Sequence, residues 1–116
     1  MENKFKKKWS NKINVIAAQI VEWRKTKGFK TPESLDTEEE RDAMLGKLML
    51  VVTEVSEAAE AVRHNDLHNF SEEIADAIIR LLDIGSTMKI DLEMHLAEKM
   101  DINSGREIRH GKNTSL

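Results

Sequence analysis

Two acidic couplets stand out by their spacing: Glu54-Val55-Ser56-Glu57 and, after fifteen intervening residues, Glu73-Ile74-Ala75-Asp76. Residues three apart share a helix face, so on helices each couplet aims two carboxylates the same way. At roughly 100° per residue, Leu48, Val51, Val52, Val55, Ala59 and Val62 form one apolar stripe, with Glu54 and Glu57 on its flank. Ile74, Ala77, Ile78, Leu81 and Ile84 form a second, and Glu73 and Asp76 flank it at the same offset. Two antiparallel neighbours would bring all four carboxylates together. Clustered anions disfavour one another's ionised forms unless a cation sits among them. An all-oxygen set favours a hard ion, Mg²⁺ with Mn²⁺ as a substitute, over zinc. The plainer reading is four solvated flank charges, and either couplet alone would not displace it.

A second constellation is cationic. Lys99, Asn103 and Arg106 continue the face that Leu92 and Leu96 occupy one or two turns earlier. A face that turns from apolar to cationic can leave the core and enter a cleft, where such donors hold phosphate oxygens. They could equally complement a helix C-terminus. Arg109, His110 and Lys112 would extend an anion site from the tail. Arg80, one turn beyond Asp76, is either a phosphate contact or an ion-pair partner of Asp76. Trp23 could stack on a base or serve as a core or interface residue.

The elements that must carry these groups are helices. The chain has 116 residues, enough for one domain spanning 1–116, with 34% charged and 40% hydrophobic residues, one proline and five glycines. That composition suits helices joined by short turns. A first helix is expected from about Ser10 to Lys27, with Gly28 as its stop. A loop follows around Thr31-Pro32. A second helix starts at the capping-box sequence Thr37-Glu38-Glu39-Glu40 and continues to about His64. A third runs from Asn69 or Ser71 to Met88, and a fourth from an Asp91 cap to Gly105. The tail from Glu107 to Leu116 reads as polar and loose. The expected fold is all-α: an antiparallel four-helix bundle, its core completed by oligomerisation because the aromatics number only five.

The bulk properties narrow the function classes. Cysteine is absent, which excludes disulfides and thiolate metal sites and is compatible with a cytoplasmic home. No apolar run approaches the length of a membrane span, and the Lys6-Lys7-Lys8 start lacks a signal-peptide core. A net charge of −3 argues against a nucleic-acid partner. Redox di-iron bundles use paired Glu-x-x-His motifs, and the one such string here, Glu107-x-x-His110, lies in the glycine-flanked tail.

Taken in order, these residues resemble the MazG-like all-α nucleoside triphosphate pyrophosphohydrolases, whose signature is E-x-x-E followed after a gap by E-x-x-D. The flanks also resemble that family: Leu48 to Thr53 before the first couplet, Ala77 to Asp83 after the second, then Ile90-Asp91-Leu92. Lys99-x-x-x-Asn103-x-x-Arg106 is similar to the family's Lys-x-x-x-Asn-x-x-Arg segment. The likeness covers about residues 40–112, and more loosely Trp23 to Phe29. Arg80 departs from it, since relatives often carry Tyr there.

The resemblance implies that Glu54, Glu57, Glu73 and Asp76 bind Mg²⁺ carried with a nucleoside triphosphate. Glu54 and Glu57 are then the candidates for accepting the proton of the attacking water. Lys99, Asn103 and Arg106, with Trp23 and Arg80, would hold the substrate. The products would be a monophosphate and pyrophosphate, in nucleotide-pool house-cleaning. The implied assembly is a homo-oligomer, expected here as a tetramer of two dimers. Alternatives are a dUTPase-like or phosphoribosyl-ATP pyrophosphohydrolase, or a non-catalytic helical oligomerisation or adaptor module.

Overall fold

The computed structural model describes residues 2–105. Five helices run in the order α1 (Lys4–Trp9), α2 (Lys12–Thr26), α3 (Glu38–Arg63), α4 (Leu67–Thr87) and α5 (Leu92–Ser104), and no strand occurs among the described residues. None of these helices is long and apolar enough to cross a membrane.

The ends follow local chemistry. Thr37 and Glu40 form a reciprocal capping box at the start of α3, which satisfies N–H groups that have no partner inside the helix. Asp91 caps α5 by accepting from the Met94 N–H at 3.0 Å. Gly28, at φ 78°, follows the end of α2 in the left-handed region that glycine adopts without strain.

Two boundaries differ from expectation. A short helix, α1, precedes the one expected from about Ser10, and Ser10 and Asn11, with left-handed φ values of 53° and 64°, separate the two. Asn3 caps the first piece by accepting from the Phe5 and Lys6 N–H groups. The helix α4 begins at Leu67, not at Asn69 or Ser71, because Asp66 supplies its cap to the Asn69 N–H at 3.1 Å.

The central element is α4. It packs along α3 on one side and α2 on the other, whereas α5 meets it only lightly and follows α1 and α2. Among the described residues these pairings do not show a closed four-helix bundle. The residues of α3 turned towards α4 are Met44, Lys47, Val51, Glu54, Ala58 and Ala61, at three- and four-residue steps, and they are buried or half-buried. Ala58, Ala61 and Ala77 are all buried, and side chains this small let the two backbones approach closely.

This corrects the expected core. Leu48, Val52, Val55 and Val62 do not form the buried stripe; Val52 and Val55 are each 53% exposed. Ile74, Ile78 and Leu81 of α4 are exposed too. In each helix this stripe follows the contact stripe by one residue, or about 100°. The two helices run antiparallel, so the two offsets turn to the same side of the pair. The result is one continuous, uncovered aliphatic face.

Candidate functional site

Glu54 and Glu57 stand on α3, and Glu73 stands on α4, where the two helices cross at the end nearest their connecting turn. Each contributes one carboxylate oxygen to a group lying within 4.8 Å of one another. Glu54 lies inside the helix contact, not on its flank, with its side chain 12% exposed. Asp76 is not part of this close trio. It is exposed one turn further along α4 and lines a neighbouring cavity.

The electrostatics of the trio are those of acceptors short of a cation. Glu73 Oε2 is buried with no hydrogen-bond partner. The Glu73 carboxyl is raised from its ordinary value to about 8, first by hydrogen bonding with Glu54 and then with Glu57. Burial and the charges of the same two neighbours add to the shift. Facing carboxylates disfavour one another's ionised forms, which a counter-charge placed among them would relieve.

A cavity of about 350 Å³ opens beside the trio, between α2, α3 and α4. Asp76, Arg80 and Lys47 give it charged walls, and Trp23, Phe29, Leu50 and Ile79 give it apolar ones. Trp23 is 54% exposed, so its ring is open to the cavity and does not fill the core. Small-molecule sites typically combine such apolar walls with a few convergent polar groups.

The wall that carries Trp23 and Phe29 is pinned by a buried ion pair. Arg24 Nε donates to Asp83 Oδ1 at 3.0 Å, and Asp83 also accepts from the Thr31 hydroxyl at 2.5 Å. The same guanidinium donates to the Phe29 carbonyl at 3.1 Å and the Thr87 hydroxyl at 2.8 Å. One arginine thereby fixes the end of α2, the loop after it and the C-terminal end of α4.

Arg80 pairs with Glu54, Nε to Oε1 at 3.3 Å, and not with Asp76. The reason is the antiparallel register, which sets Arg80 across from Glu54, whereas Asp76 and Arg80 are on neighbouring turns with Asp76 turned towards α2. Lys99 and Asn103 are exposed on α5. That helix leaves α4 after its first turn, so neither residue lines the cavity or joins the trio. Arg106, Arg109, His110 and Lys112 lie outside the described residues.

Sequence reasoning passed over Lys47, Phe29 and the Arg24–Asp83 pair. Lys47 was legible: it stands seven residues before Glu54 and so on the same helix face. Asp83 likewise stands seven residues after Asp76. Phe29 carried no pattern, because a loop brings it to the cavity.

A family model described as the MazG nucleotide pyrophosphohydrolase domain matches residues 45–107. That span holds both couplets, Arg80 and the Lys99 to Arg106 segment. No curated protein and no solved structure matches the chain.

Proposed function

The chain belongs to the family of the MazG nucleotide pyrophosphohydrolase domain, and on that premise we propose that it hydrolyses (deoxy)nucleoside triphosphates to monophosphate and pyrophosphate with Mg²⁺. The observation that carries this reading is the convergence of Glu54, Glu57 and Glu73 within 4.8 Å, linked through the Glu54–Arg80 pair to a largely apolar cavity that Arg80 lines.

The donor set fits a hard divalent cation: carboxylates only, one of them with an unpartnered buried oxygen. Glu54, Glu57 and Glu73 would hold the ion, with Asp76 one turn away to meet it through water or substrate. Bound there, Mg²⁺ would lower the pKa of an attacking water and polarise the phosphate oxygens.

The remaining roles fall to the chain's own side chains. Glu57 or Glu54 accepts the proton that the water loses. Arg80 and Lys47 face the cavity and offset the charge that builds on the phosphates as the α–β bond breaks. Trp23 and Phe29 offer apolar surface to the base. Lys99, Asn103 and Arg106 complete the phosphate contacts on the strength of the family likeness. House-cleaning of the nucleotide pool in the cytoplasm is the setting we propose.

We also propose that the working unit is a homo-oligomer, a tetramer of two dimers, with the uncovered aliphatic face of α3 and α4 as a seam between copies. An adaptor module would use the same face, and the two readings part at the carboxylates. The deciding experiment measures pyrophosphate release across the common nucleotides with Mg²⁺. Glu54→Gln and Glu73→Gln should abolish it with the helices intact, while Glu39→Gln, in the first turn of α3, should change little. Release of orthophosphate alone, or full activity in both variants, would move the assignment to the adaptor.

A further inference from the structure

Arg80 is tied to the site in a way that the proposed chemistry does not use. Its Nε holds Glu54 at 3.3 Å, so a guanidinium occupies one of the oxygens that a cation would need. Its two Nη groups make no hydrogen bond among the described residues, and the side chain lines the cavity. Arg24, on the other wall, is the contrast: all its nitrogens are engaged, and it is anchored. Arg80 is held at one corner only, and its side chain is 38% exposed, so solvent competes for it from its free side.

We propose that Arg80 is a latch displaced by the cation. It holds Glu54 while the carboxylate cluster is empty, and turns its fork to a phosphate of the nucleotide when the cluster is filled. The inference rests on the reading of the cluster as a cation site. Only a rotation of one long side chain is required, since Glu54 and the cavity are both within its reach. A guanidinium is suited to the exchange because it pairs in a planar fork with carboxylate or phosphate alike.

The consequence is a coupling between ligands. A cation binding alone must displace Arg80 with nothing to receive it. A nucleotide supplies the receiving anion, so each ligand binds more tightly in the presence of the other, and by the same factor. The unproductive state, with a cation held and no substrate, is thereby disfavoured.

The test is calorimetric binding of Mg²⁺ to chelator-stripped protein, alone and with a non-hydrolysable nucleoside triphosphate. Arg80→Gln should bind Mg²⁺ alone more tightly than wild type, on the order of fivefold for the loss of one ion pair. Arg80→Lys, which keeps the charge, should stay within about twofold of wild type. The analogue should improve Mg²⁺ binding to wild type by a larger factor than to Arg80→Gln. Equal or weaker Mg²⁺ binding by Arg80→Gln would overturn the latch and leave the cation site standing. If no variant binds Mg²⁺ even with the analogue, and Glu54→Gln behaves as wild type, the cation reading fails and the latch with it.

Discussion

Glu73 bears the electrostatic cost of placing three carboxylates together, and its titration can be followed. Its folded pKa of about 8 stands above the ordinary 4.5, so between those values the folded chain keeps a proton that the unfolded chain gives up. The stability this proton contributes is complete below about pH 4.5 and is lost as pH rises through about 8. In chelator the melting temperature should therefore decline across that window, and Glu73→Gln should flatten the decline. An identical slope in the variant would place the loss elsewhere. A cation entering the cluster must expel the same proton. The apparent Mg²⁺ affinity should accordingly fall by up to about tenfold for each pH unit below 8, as read by calorimetry at several pH values.

Among the elements, the joint between α2 and α5 is made by one buried acid, with Asn14 beside it bonding Asp91 and the Glu93 N–H. Glu93 is fully buried and accepts the Asn11 and Ile13 N–H groups at 2.6 and 2.9 Å. It caps a helix whose own N-cap residue makes no side-chain cap bond. Glu93→Ala should cost about 2–4 kcal/mol in a denaturant melt, from two unpartnered donors and a small void. The other joint is steric: a Cβ on Gly85 would stand 2.6 Å from Leu92 Cγ. Gly85→Ala should cost about 1–3 kcal/mol as α5 is pushed away, while Gly46→Ala, where nothing stands within 4 Å, should be stabilising or neutral. These joints mark where sequence reading stopped. The caps at Thr37 and Asp91 were legible because capping is local, and the E-x-x-E and E-x-x-D couplets because helical phase is local. The separate helix α1 was not, since Ser10 and Asn11 do not demand the left-handed backbone that sets it apart. Glu93 carries no pattern of its own, and its partners lie about eighty residues away in sequence. The contact face of α3 was missed for a different reason: the most apolar stripe was taken as the inner one, but alanines packed more closely.

At the scale of the whole molecule, the chain leaves an aliphatic face uncovered and Lys99 of α5 apart from its carboxylates. Val52, Val55, Ile74 and Ile78, on adjoining faces of α3 and α4, are all exposed, and soluble monomers rarely show an apolar patch of that continuity. A second copy laid on this face would complete a bundle of four helices. Val55→Glu or Ile78→Glu should then sediment as a 13.3 kDa monomer, with its helical signal retained because neither side chain is packed within the chain. Wild type should sediment as a dimer or tetramer, and a wild-type monomer at micromolar concentration would refute the seam. On the proposed role of Lys99, assembly would also decide where it acts. On α5 it follows α1 and α2 away from the trio, so its expected target is the site of another copy. Glu73→Gln and Lys99→Ala chains should each be impaired alone. Unfolded together and refolded, they should recover roughly a quarter of wild-type turnover, half the pairs being mixed and each mixed pair holding one whole site. Were Lys99 to serve its own chain's carboxylates, every site in the mixture would carry one lesion, and no recovery would be seen.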